Sequence, residues 1–253
     1  MPSSITVSHN NRKMTFSEDS HSYIDNHGKK YMSVTTLIGH AFEKFDAEKV
    51  AKALAEKRGE EDWRYYVNLW REEGKKAADQ GTRLHFNCEH MILDRYDECY
   101  IAETPQEMIN FSLAEKQVKK IKEDEHSVKF EPEKLVFSNI LGLAGSIDLL
   151  VTKDDGSYII YDWKNIKELK KEGFNGKTGV LKCTANVQDS NYWHYALQLQ
   201  LYEIILKAEN YVDRNAKFER RLCVFSNGHL DVYEMPDVKE EAKGLIRWLN
   251  RID

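Results

Sequence analysis

Hydrophobic and polar positions along this chain change period more than once, and each change marks a different kind of structure. Near the start, HSYID and KKYMSVT flank Asn26-His27-Gly28, a turn sequence, so residues 14 to 38 are expected to form a β-hairpin running into a helix. From about Asp46 to Asp97 helical patterning dominates, carried by good helix formers such as AEKVAKALAEK and punctuated by Gly74 and Gly81. A further helix is expected from Pro105 to about Asp124. Proline suits its first turn, and Phe111, Ala114, Val118 and Ile121 make an apolar stripe at spacings of three and four.

The pattern then becomes that of strands. VKFEPEKLVFS, LAGSIDLLVT and SYIIYDWK are rich in β-branched and aromatic residues, with Asp154-Asp155-Gly156 as a turn between the last two. A glycine-bearing linker covers about Lys167 to Asp189. A long helix is expected from about Ser190 to Glu209, with Leu197, Leu201, Ile204 and Ile205 as its buried stripe. RRLCVFS and HLDVYEM, joined by Ser226-Asn227-Gly228, predict two more strands, and a final helix follows Pro236. The reading is one α/β domain over residues 1–253. It comprises an N-terminal hairpin and helical part (1–127), a mixed central sheet (128–235) flanked by helices, and a C-terminal helix (236–253).

Composition narrows this picture. No run approaches the roughly 18 apolar residues of a membrane span, and MPSSITVSHNNRKMTF carries neither a signal-peptide apolar core nor an Arg-rich transit pattern. A cytoplasmic protein without membrane contact is expected. The four cysteines, Cys88, Cys99, Cys183 and Cys223, form no C-x-x-C pair, so reduced thiols are expected, not a zinc ribbon or a disulfide framework. A net charge of −5 argues against a general polyanion binder. One stretch runs the other way: Lys164, Lys167, Lys170, Lys171, Lys177 and Lys182 face only Glu168 and Glu172. It reads either as a solvated loop or as a contact for a polyanion.

The chemistry concentrates in the predicted hairpin. Asp148 and Asp162 are equidistant from Asp155, so a hairpin centred there sets the two carboxylates opposite one another. Like charges so placed repel unless a cation compensates, and hard divalent cations prefer carboxylate oxygens. Alternation puts Lys164 on the face of Asp162, with Ile159, Tyr161 and Trp163 on the other. A turn centred between Ile140 and Leu141 would pair Glu133 with Asp148 and add a third carboxylate, although Glu131 lies on the same side and competes for that place. Taken alone, a lysine beside two carboxylates is read equally well as a structural ion pair.

G-S-I-D-L-L, then Y-D-W-K after a short hairpin, then Q-L-Q-L-Y resembles the RecB-like branch of the PD-(D/E)XK nucleases, including phage-type exonucleases and the mitochondrial genome maintenance exonuclease. Gly81-Thr82-Arg83-Leu84-His85 is similar to the branch's upstream G-x-x-x-H signature, Gln198 and Tyr202 to its Q-x-x-x-Y signature, and Ser33-Val34-Thr35 to its S-x-T element. The resemblance spans about residues 14 to 235. It implies a restriction-endonuclease-like fold and a metal-dependent DNA exonuclease of replication, recombination or repair. The alternatives are a structure-specific endonuclease and a DNA-end-binding subunit.

The same resemblance implies roles. Asp148, Asp162, His85 and the Trp163 carbonyl would hold Mg²⁺ or Mn²⁺, with Glu133 assisting and Lys164 activating the attacking water. Glu89, one helical turn beyond His85, is a candidate to orient the imidazole. Gln198, Tyr202, Ser33, Thr35, Lys167 and Lys170 would contact nucleic acid, although Ser33 and Thr35 also suit a helix cap. Relatives with an iron–sulfur cluster carry three cysteines after the Q-x-x-x-Y helix; only Cys223 follows it here, so no cluster is expected. DNA, single-stranded or with free ends, is the expected partner. A recombinase, single-strand-binding protein or helicase would be a second one.

Overall fold

The computed structural model describes residues 4–18 and 20–252. Its strands are Ser4–His9 (β1), Arg12–Ser17 (β2), Ser22–Asp25 (β3), Lys30–Ser33 (β4), Ser127–Ser138 (β5), Leu143–Lys153 (β6), Tyr158–Asn165 (β7), Phe218–Ser226 (β8) and His229–Glu234 (β9). They form one mixed sheet in the order β1-β2-β3-β4-β6-β7-β8-β9, with β5 paired to β6. The β4–β6 and β7–β8 pairs are parallel and the others antiparallel. The helices are Val34–Gly39 (α1), Ala47–Arg58 (α2), Arg64–Ile92 (α3), Pro105–Lys122 (α4), Asn191–Ala208 (α5) and Lys239–Ile252 (α6). Among the described residues, no helix is long and apolar enough to cross a membrane.

Local signals account for most boundaries. Asp46 accepts the Lys49 N–H at the start of α2, and Thr104 accepts that of Glu107 ahead of Pro105 in α4. Two expectations change. The helical region divides into α2 and an unbroken α3 that passes through both Gly74 and Gly81, because one glycine costs a helix only about 1 kcal/mol. An additional hairpin, β1–β2, turns at Asn10-Asn11, both with positive φ (48° and 60°), a conformation asparagine tolerates.

Helices cover both faces of the sheet. On one, Ile147, Leu150, Ile160, Leu222 and Val224 pack against apolar side chains of α1, α5 and α6. On the other, Leu149, Val151, Ile159, Tyr161, Trp163 and Phe225 meet Leu84 and Met91 of α3 and Phe111 and Val118 of α4. β7 is therefore buried on both sides, which is why its sequence is a nearly continuous apolar run. Truncating any of these leucines to alanine would cost about 2–5 kcal/mol.

Strand β6 has two different edges. Along one, β5 is paired for nearly its whole length. The opposite edge is shared: β4 takes Leu143 and Ala144, and β7 takes Leu149 to Thr152. Between these partners, residues 145–148 have no strand neighbour on that edge, and β7 continues past its last pair, Leu149↔Tyr161, beside β8. The sheet forks there.

Candidate active site at a fork in the sheet

The β6–β7 register is the one that would set Asp148 opposite Asp162, but pairing stops one step earlier, at Leu149↔Tyr161. The strands part at the two carboxylates. Likewise, the β5–β6 register would pair Glu133 with Asp148, and that step is missing from a ladder that is continuous on either side of it, from Lys129 to Ser138. Glu133 adopts φ +43°, the left-handed region that L side chains disfavour. On the same stretch, Ile147 and Leu149 enter opposite cores although they stand two apart, so β6 turns at Asp148. The backbone is irregular at the residues that carry the chemistry.

Three donors meet at the fork. His85, Glu133 and Asp148 each offer a ligand atom, all within 4.8 Å of one another. His85 arrives from α3 and donates Nε2–H to the Trp163 carbonyl (2.7 Å), which turns Nδ1 toward Asp148 Oδ2 (3.5 Å) and Glu133 Oε1 (3.9 Å). Burial alone would lower the imidazole's pKa, but Asp148 and Glu133 outweigh it and push it up to about 9. The imidazolium thus supplies one positive charge between two carboxylates. The Trp163 N–H donates to Asp148 Oδ2 (2.7 Å), and Ser146 Oγ donates to Glu133 Oε2 (3.0 Å).

Asp162 stands apart from this cluster. It is 1 % exposed and turned toward α5, where Gln198 Nε2 donates to its Oδ1 (3.1 Å). Lys164 Nζ lies 2.5 Å from Oδ2, a charged contact that is the one partner of this oxygen among the described residues. Burial, then Asp148, lift the Asp162 carboxyl above the ordinary carboxylate range despite Lys164. For Lys164, burial would lower the pKa, yet Asp162 and Asp148 raise it, so the ammonium stays charged.

The remaining predicted residues have other tasks. Gln198 and Tyr202 are not presented as an open clamp. Residues 196–203 of α5 are all buried, and Gln198 Nε2 also donates to the Tyr202 hydroxyl (3.4 Å), so the pair braces Asp162 from behind. Tyr202 lies flat against β6: a Cβ on Gly145 would stand 2.7 Å from its ring. Ser33 caps α1, accepting the Thr36 N–H at 3.0 Å, and its Oγ is 3.1 Å from Thr35 Oγ1. Lys167 pairs with Glu73 (3.3 Å) and Lys170 with Glu168 (3.7 Å), both at the surface. The imidazole of His85 is held by Trp163 and Asp148; Glu89 remains half-buried nearby, its pKa raised by burial and then Glu133. Two neighbours went unforeseen. Ser146 sits two residues before Asp148, and Tyr195, whose ring centroid is 5.2 Å from Lys164 Nζ, sits three before Gln198 on the same helical face.

Carboxylates, a charged lysine and an imidazole thus gather where two strands part, a group that could hold a metal ion. Residues 36–251 match the sequence model of the PD-(D/E)XK nuclease superfamily, and the chain belongs to that superfamily. The match begins just after Ser33 and Thr35 and extends through α6. No curated protein matches the chain. Among solved structures it is similar to a protein of Eubacterium rectale described as a candidate exonuclease, at 14% identity over 88% of this chain and 80% of that one, with a TM-score of 0.45. It is also similar to SSO0001, at 15% identity over 69% of this chain and 88% of that one, with a TM-score of 0.28.

Proposed function

We propose that this nuclease is a Mg²⁺- or Mn²⁺-dependent deoxyribonuclease that degrades DNA from its ends. The observation that carries the reading is the division of labour at the fork. Glu133, Asp148 and His85 form an open donor set, and Lys164 is held charged beside it by a sealed Asp162. One imidazole nitrogen and two carboxylates within 4.8 Å suit a divalent cation with mixed N/O coordination, and the Trp163 carbonyl is a further oxygen at the fork, whereas Asp162 is engaged by Lys164 and Gln198. When bound, such a cation polarises a phosphoryl oxygen and makes water a better nucleophile at neutral pH.

The chain's own groups do the rest. Nε2–H of His85 is committed to the Trp163 carbonyl, so Nδ1 is the nitrogen that would hold a cation once the imidazolium has released its second proton. Lys164 can orient a water and offset charge developing on the phosphate, a task that requires it to stay protonated in a nearly closed site. Gln198 keeps Asp162 aimed at Lys164, and Tyr202 keeps Gln198 in place. The buried end of α3 lies over the fork, which favours a strand entering by a free end.

End-labelled linear oligonucleotides and covalently closed single-stranded circles, at matched nucleotide concentration with Mg²⁺ or Mn²⁺, test the proposal. Linear DNA should be degraded, circles should persist, and EDTA should stop the reaction. Rapid conversion of circles to linear product, by protein that the Lys164→Ala change inactivates, would replace end-dependent attack with endonuclease activity.

A further inference from the structure

Helix α3 is two objects joined end to end. From Leu84 to Ile92 it is packed into the body and supplies His85. Residues 71–79, by contrast, are exposed without interruption. A helix leaning on a neighbour buries a residue about every three or four, so this stretch stands free on all sides. Beyond it, the start of α3 shares a small core with α2, in which Ala51, Ala55 and Tyr66 are buried. The Glu73–Lys167 ion pair (3.3 Å) ties this stalk to the chain just after β7.

One face of the stalk differs from the others. At about 100° per residue, the side in line with His85 carries Thr82, Gly81, Ala78 and Gly74 near the fork. Farther out it carries Arg71, Trp70, Val67, Arg64 and Trp63, of which Trp70, Val67 and Trp63 are half-buried against the core shared with α2 while Arg71 and Arg64 are exposed. No carboxylate falls on this side between residues 63 and 82, because Glu72, Glu73 and Asp79 all point elsewhere. Near the fork the face is clear: nothing lies within 4 Å of where a Cβ would stand on Gly74 or Gly81. At its far end, Phe45 is 72% exposed with its ring 6.2 Å from that of Trp70, and Lys44 is exposed beside it.

The exposed Phe45 ring beside the half-buried Trp70, with Lys44 and Arg71 exposed around them, forms a surface on which unstacked bases can lie while phosphates meet positive charge. A duplex, whose bases already stack on one another, offers no such faces. We infer that this side of α3, over about 18 Å of helix from Trp70 to Thr82, is a track for single-stranded nucleic acid. The track leads the strand from the Phe45–Trp70 rings to the fork. The inference rests on the nuclease reading and adds to it where the strand lies.

The test compares two charge reversals of equal size on the exposed stalk, Arg71→Glu on the track and Lys76→Glu on the opposite face, together with Phe45→Ala. Affinity for a fluorescein-labelled oligothymidylate is read by anisotropy in EDTA, so that nothing is cleaved, with circular dichroism confirming the helix. Arg71→Glu and Phe45→Ala should each weaken binding about fivefold or more, and Lys76→Glu less than about twofold. Equal losses in the two reversals, an unchanged Phe45→Ala, or duplex DNA that binds as tightly with the same pattern overturns the track. Hydrolysis of bis(p-nitrophenyl) phosphate by the unaltered protein with Mn²⁺ separates the two levels. A protein that hydrolyses this ester but does not bind the oligonucleotide keeps its nuclease reading and loses the track, and one inert to both loses both.

Discussion

Two nearly buried aspartates, each beside one cation, lie in different parts of this molecule and behave in opposite ways. Asp25, in the N-terminal hairpins, is 5% exposed and pairs with Arg12 at 2.9 Å. It also accepts the N–H groups of His27 and Lys29 and the Tyr31 hydroxyl, each at 2.9 Å. Burial alone would raise its pKa, but those N–H groups, the hydroxyl and the guanidinium bring it down to about 2. Asp162 has only Lys164 and one amide beside a neighbouring carboxylate, and burial moves its pKa up. A cation alone does not settle a buried carboxylate; a filled set of donors does. Asp25 is complete within the fold, whereas Asp162 has capacity left for something from outside it.

Removing the cation from each aspartate should separate them most widely. Lys164→Ala is expected to lower turnover at least about a thousandfold, while the fold survives because Asp162 can take a proton. Arg12→Ala should leave turnover within about twofold and lower stability by about 1 kcal/mol, since the three remaining partners of that carboxylate are a neutral hydroxyl and two backbone N–H groups. Turnover measured beside thermal unfolding checks both, and near-normal cleavage by Lys164→Ala would sink its assigned role.

Glu133 sharpens the contrast, because it belongs to the open donor set and its backbone is strained as well. Glu133→Gly suits φ +43° but gives up the carboxylate's contacts with His85 and Ser146, so the stability of the metal-free protein should change by less than about 1 kcal/mol. The rise in melting temperature that Mn²⁺ gives the unaltered protein should largely disappear. A destabilised variant that still responds fully to Mn²⁺ would show that Glu133 serves the fold.

The smallest effect belongs to the hairpins and is read by pH. Asp25 has a lowered folded pKa, so its contribution is present above the unfolded value near 4 and is lost as pH falls toward 2. That component should amount to about 1–2 kcal/mol. It should be absent from Asp25→Asn, which should already be less stable at neutral pH with cleavage unaffected. Identical acid unfolding of the two proteins would contradict the comparison.

Much of this was legible from residues alone. Both registers around Asp148 followed from turn positions, because a period of two leaves a hairpin little freedom once its turn is placed. The helices α4, α5 and α6 followed from stripes such as Phe111, Ala114, Val118 and Ile121. What could not be read was where pairing stops. The parting of β6 and β7 depends on Gln198 and Tyr202 standing behind Asp162, a tertiary contact with no local signature. Those two residues are nucleic-acid contacts by resemblance and lie beside the one buried stripe that the α5 sequence shows, whereas residues 196–203 are buried on every side. The free stalk of α3 was hidden too, since exposed and packed helix share one periodicity.

The missing side chain at Gly145 has a consequence for how this protein can change. A single methyl group there would meet the Tyr202 ring, and behind that ring stand Gln198 and then Asp162, so the displacement would be handed along to the fork. Genetically, positions 145 and 202 then act as one locus. A glycine-to-alanine change should silence the enzyme on its own, and a smaller residue at 202 is the second-site change that would make room for it.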